Sequence, residues 1–193
     1  MKIRRFPLLP ALLVAALVLA GCTASTQDEI DALPVAELPA APSGWIDESL
    51  EAFRFATDPE WEIGESRGDD ADWVERMWTT GLTDATGSVE PAPYPMRATF
   101  SRYTGDEPES LLENDAERPV IERVEIPGAA QAVLLADPAF ELEADEGRTY
   151  RFSVATVRML TDDGDLYVAT LEFDGDDPEL TSIREVVAAF ALD

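Results

Sequence analysis

The chain of 193 residues carries 40 Asp and Glu against 14 Lys and Arg, no His and one Cys, for a net charge of −26. Without His there is no Ser-His-Asp triad, Cys-His pair or His-ligated metal, and with Lys2 as the sole lysine there is no Schiff base, Ser-Lys dyad or P-loop lysine. The acidity also excludes nucleic acid as a partner, because that binding rests on Lys and Arg neutralising phosphates.

The first residues have a different character from the rest. Lys2, Arg4 and Arg5 form a positive start, Phe6 to Ala20 is an apolar run of 15 residues broken by Pro10, and Leu19-Ala20-Gly21-Cys22 follows at its end. A run of this length is short for a spanning helix, which needs about 20 residues. The pattern is that of a secretory signal over residues 1–21. The tetrapeptide Leu19, Ala20, Gly21, Cys22 resembles the bacterial lipobox at every position. That resemblance implies diacylglycerol on the Cys22 sulfur, Cys22 as the mature N-terminus, and anchoring to the outer face of the cytoplasmic membrane without a span. Several acyl chains make such an anchor durable where one does not.

Residues 22–43 are rich in Ala, Pro, Thr, Ser and acids, with scattered Leu33, Val35 and Leu38, and read as a flexible tether with a reach of roughly 25 Å. Residues 44–193 are the length of a single domain, and with Cys22 consumed by lipid this domain has no cysteine for a disulfide. Its Lys-free, Ala- and Asp-rich composition is also what the coding bias of a GC-rich, salt-tolerant bacterium produces.

Within the domain, Phe53 to Thr57 alternates and stops at Asp58-Pro59, and Trp61-Glu62-Ile63 resumes, which predicts strand, turn, strand. Asp72 to Leu82 fits both periods; its shortness and its Thr79-Thr80-Gly81 ending favour a strand. Met96, Ala98 and Phe100 mark another. Glu107 to Ala116, with Pro108 near a first turn, predicts a short helix, and Ala130 to Leu135 an apolar strand. Tyr150 to Val157 and Leu166 to Phe173 form a hairpin across Asp163-Gly164, read as a type I′ turn. Asp177 and Pro178 suit the start of a last helix whose face is Leu180, Ile183, Val186, Val187 and Phe190.

Three features resemble the Mog1/PsbP-like domains of secreted lipoproteins in high-GC Gram-positive bacteria. These are Phe53-Arg54-Phe55 leading to Asp58-Pro59-Glu60-Trp61, Ile126-Pro127-Gly128-Ala129-Ala130 opening a strand, and the long hairpin followed by an amphipathic helix. The resemblance implies an α+β domain, a curved and mainly antiparallel sheet flanked by helices as an α-β-α sandwich, serving as a binding or assembly accessory with no shared catalytic residues and no cofactor.

Two sets of residues invite a site. Asp162, Asp163 and Asp165, and Asp174, Asp176 and Asp177, are acid clusters of the kind that attracts hard cations, but neither has EF-hand spacing, and a hairpin turn and a helix cap account for both. The strand between them sets them roughly 30 Å apart, so they cannot share an ion. Trp73 and Trp78, beside Asp72, Glu75 and Arg76, are the aromatic pair expected to form a partner surface rimmed by charge. The expected function is a tethered, non-enzymatic module for an envelope protein or, alternatively, a small ligand or cation; a hydrolase would need two facing carboxylates in a cleft.

Overall fold

The computed structural model describes residues 30–63, 73–80, 95, 97–112, 120–144, 148–174 and 180–193. The strands are β1 (Val35–Ala36), β2 (Ile46–Leu50), β3 (Phe53–Thr57), β4 (Trp61–Ile63), β5 (Trp73–Thr80), β6 (Arg97–Tyr103), β7 (Val120–Val124), β8 (Gln131–Ala144), β9 (Arg148–Leu160), β10 (Leu166–Asp174) and β11 (Ala191–Leu192), with helix α1 (Leu180–Val187). Eight strands form one sheet in the order β1-β7-β8-β9-β10-β6-β5-β4, and three form a second in the order β11-β3-β2. All pairings are antiparallel except β1 with β7.

Side-chain alternation builds two cores, one on each face of the large sheet. Ala98 and Phe100 of β6, Ala132 and Leu134 of β8, Ala155 and Val157 of β9 and Tyr167 and Ala169 of β10 point to the face covered by the small sheet and α1. There Phe55 stacks on Phe100 with centroids 3.8 Å apart, and Phe53 meets Phe190 edge-on at 5.2 Å. Ile183, Val186 and Val187 bring the predicted helix face into this core. Each large apolar side chain fully buried contributes roughly 1.5–3 kcal/mol. The intervening residues Val133, Leu135, Leu166 and Val168 point to the other face and pack under Ile30 and Leu112.

The expected α+β sandwich flanked by helices is not formed: the protein is mainly β, with two sheets, and α1 is the one complete α-helix among the described residues. Two expectations misled. The segment expected to be helical from Glu107 to Ala116 opens as a 3-10 turn, Pro108–Leu112, in which the Ser110 backbone N–H and hydroxyl both donate to Glu107 O, at 3.1 and 2.8 Å, and its residues 113–116 lie outside the described residues. The run expected to end at Leu135 continues to Ala144; a register shift between Asp137 and Phe140 absorbs Pro138 and hides the alternation.

Two further corrections concern connections. The β9–β10 turn is not type I′, since only Gly164 has positive φ (87°); Gly164 N donates to Thr161 O (3.1 Å) and Thr161 N to Asp165 O (2.9 Å), the three-residue loop of a type I turn with a Gly in the left-handed region. The tether is shorter than its composition suggests. Ile30 is buried, β1 pairs with β7, and Leu33, Ala36 and Leu38 pack partly against the two cores, so the chain is part of the fold from Ile30 onward.

The chain passes from the small sheet to the large at Asp58–Trp61, where Trp61 N donates to Asp58 O (2.9 Å) and Glu60 N to Asp58 Oδ1 (2.8 Å). The small sheet is pinned at its β2–β3 tip. Glu51 sits at φ 53°, a strained value for a residue with a side chain, and its carboxylate accepts from Arg102 Nη1. Burial opposes the Arg102 charge, and Glu51 overcomes it and raises the guanidinium above its ordinary range.

Candidate functional site

The structure separates the residues expected to act together. Trp73 and Trp78 lie five apart in β5, so the two positions belong to opposite faces of the sheet, and the Trp78 side chain lies outside what is described. Trp73 is half-buried against Tyr103, centroids 4.9 Å apart, in the second core. Asp162, Asp163 and Asp165 are exposed in the β9–β10 turn, where Asp165 N donates to Thr161 Oγ1 (3.0 Å). Asp174 closes β10 at its far end, and Asp176 and Asp177 lie outside the described residues, as do Leu19, Ala20, Gly21 and Cys22. Among the described residues no three Cys, Asp or Glu side chains converge as a metal site would require.

A different place has the form of a site. Where β1, β7 and the start of β8 meet, a cleft of about 300 Å³ opens between Val35, Arg123, Glu125, Ala130 and Gln131. Its rim is the β7–β8 turn, held from three sides. Ala129 N donates to Ile126 O (3.0 Å), Ala130 N to Leu160 O (2.8 Å), and Leu192 N of β11 to Pro127 O (2.7 Å). Gly128 is required here: φ is 81°, and a Cβ would lie 2.0 Å from Leu192 O. Across the cleft, Arg123 N donates to Pro34 O and Arg123 Nη1 to Asp31 O, both at 3.2 Å, which clamps the N-terminal segment over β7.

Gln131 is the unusual member. Its Nε2 is buried and meets no acceptor among the described residues. An unmet buried donor costs about 1–3 kcal/mol, so among the described residues this amide stands as a local cost beneath the cleft rather than as a group open to it. Among the described residues the lining brings Arg123, the exposed Glu125 and Gln131 together around this rim and holds no Ser, Thr, Tyr or Cys. Among the described residues Glu125 is the one carboxylate of this lining.

No family model and no curated protein matches the chain. The chemistry of the site therefore rests on its geometry.

Next to the cleft, on β7, Glu122 is buried and accepts twice from Arg184 of α1, Nε to Oε1 at 3.0 Å and Nη2 to Oε2 at 2.5 Å. The hydrogen bond to Glu122 raises the Arg184 guanidinium, burial opposes, and the charge of Glu122 adds to the rise. This bidentate pair fixes α1 on the strand that supplies Arg123 and leads into Glu125. Sequence reading missed the cleft because its parts come from positions 34–36 and 123–132; the one available signal was Gln131, a polar residue opening the run Ala132 to Leu135.

Proposed function

We propose that the protein is a membrane-tethered, extracytoplasmic lipoprotein whose domain binds a small ligand of the cell envelope without chemical conversion. The pre-formed cleft of about 300 Å³ that brings Arg123, Glu125 and Gln131 together at the β7–β8 turn is the observation that carries the binding reading, because ligand pockets join a formed cavity to a few placed polar groups. Leu19-Ala20-Gly21-Cys22 at the end of the apolar leader supports the tether. The seven residues from Thr23 to Glu29 then separate the acylated Cys22 from Ile30, where the described fold begins.

Growth with radiolabelled palmitate followed by cell fractionation tests the tether. The wild-type chain is expected to carry label in the membrane fraction, and Cys22→Ala to lose both label and membrane retention. A Cys22→Ala chain that stays labelled and membrane-bound would overturn the lipoprotein reading.

A further inference from the structure

We infer that the β8–β9 hairpin runs on past the body of the large sheet as an arm whose apolar face rests on the lipid surface that holds the anchor. The inference rests on the tethered reading above and adds the part of the domain that meets the membrane. Past Leu135, β8 has no further partner in β7, and from Phe152 towards the hairpin tip β9 has none beyond Asp174 of β10. Among the described residues, Phe140–Ala144 and Arg148–Arg151 therefore continue as a two-stranded ribbon, which is marginal in water by itself. Its register places Phe140 opposite Phe152, Leu142 opposite Tyr150 and Ala144 opposite Arg148 on one face, and Glu141 opposite Arg151 and Glu143 opposite Thr149 on the other. Counting in twos along β9 from Thr156, the partner of Leu135, puts the Phe–Phe and Leu–Tyr positions on the face of the sheet that Ile30 and Leu112 cover.

The anchored end of the chain joins the domain on this face and at this end. β1 runs parallel to β7 and β7 antiparallel to β8, so the chain read backwards from Val35 heads towards the arm, and Ile30 is buried there with Leu135. From Cys22 to Ile30 the chain spans at most about 28 Å in any conformation. The stretch of β9 from Thr156 to Arg148 covers about 26 Å, so a bilayer holding Cys22 lies about as near to Ile30 as the arm extends. The composition of the apolar face suits that boundary: Phe and Leu enter the edge of the acyl region, while Tyr150 and Arg148 belong at the headgroups. Glu141 and Glu143 fall on the opposite face. A chain of net charge −26 is repelled by anionic lipid, which makes the surface one of zwitterionic lipid.

The test uses the protein purified from native membranes and reconstituted in phosphatidylcholine vesicles, with a thiol-reactive fluorophore on the protein and a nitroxide quencher on the lipid. Acylation of Cys22 leaves the wild type without a free thiol, so Leu142→Cys and Glu143→Cys each create a single site for the label, one on each face of the arm. The wild type is expected to take up no label. Label at position 142 is expected to be quenched at least about twofold more than label at 143, as a face seated about 5–10 Å into the headgroup region requires. Tyr150→Cys with Arg151→Cys repeats the comparison on β9, and circular dichroism melts matching the wild type establish that the variants fold. Equal quenching on the two faces, or none on either, with the wild type unlabelled would overturn the contact of the arm and leave the tether standing. Label on the wild-type thiol would overturn the tether and this inference together.

Discussion

Arg184→Met removes one half of the pair between α1 and β7 while keeping most of the apolar stem. In the wild type the Glu122 side chain is 7% exposed and that of Arg184 31%. The substitution therefore leaves a carboxylate in a nearly dry place with neither of its two donors. Breaking a fully buried pair costs about 3–5 kcal/mol and a charged hydrogen bond about 1.5–3 kcal/mol. Because a third of Arg184 reaches solvent, screening brings the expected loss to about 2–3 kcal/mol. For a domain of this size each kcal/mol moves the melting temperature by about 2–4 °C, so the shift should be about 5–10 °C by circular dichroism. Pairing it with Glu122→Leu removes both charges and should recover most of the loss, since a buried pair replaced by apolar groups is often neutral. The arginine is raised above a range that already lies far above neutrality, and a raised cation contributes its stability fully below its unfolded value, so no pH dependence from Arg184 is expected between about pH 5 and 9. An Arg184→Met melting point within about 1 °C of wild type, or a double variant as unstable as the single one, would refute this reasoning.

The other expectations follow from the turn, the buried phenol and the charge. Gly128→Ala should cost about 2–3 kcal/mol, from the left-handed backbone and the loss of the Leu192 N to Pro127 O bond, and should speed hydrogen exchange at Leu192; unchanged exchange there would contradict the clamp. Burial, then the nearby Asp165 charge, raises the Tyr167 phenol, so its share of stability is complete below about pH 10 and lost as pH climbs through the raised value. Tyr167→Phe should accordingly lose less stability than wild type between about pH 9 and 11, and parallel curves would count against it. Moderate NaCl should raise the melting temperature by screening repulsion among the acids of a chain with net charge −26, and a flat or falling response would show that self-repulsion is not a material cost.

The regular elements were legible where a single period ran unbroken. Phe53 to Thr57, Trp61 to Ile63, Ala98 with Phe100, both arms of the β9–β10 hairpin and the α1 face all fall where alternation or helical spacing put them. Elements made by tertiary contact were not. The two-residue strands β1 and β11 have no period to detect; they exist because β1 pairs with β7 and β11 with β3. At Asp163-Gly164 the dipeptide fits two turn types, and the strand register, pairing Leu160 with Leu166, leaves five residues in the connection. Trp73 and Trp78 attracted notice as neighbours in sequence, yet the strand period that was itself preferred for this segment puts positions five apart on opposite faces. Gln131 looked ordinary, because an amide at a strand start announces nothing until the packing shows its Nε2 buried without a partner among the described residues.

The central claim, an acylated binding protein held close to the membrane, is tested most directly by intact-mass and N-terminal peptide spectrometry of the protein from native membranes. The account predicts a chain that begins at Cys22 and carries a diacylglyceryl group on its sulfur. A membrane-derived chain that still begins at Met1, or that carries an unmodified Cys22, would contradict it.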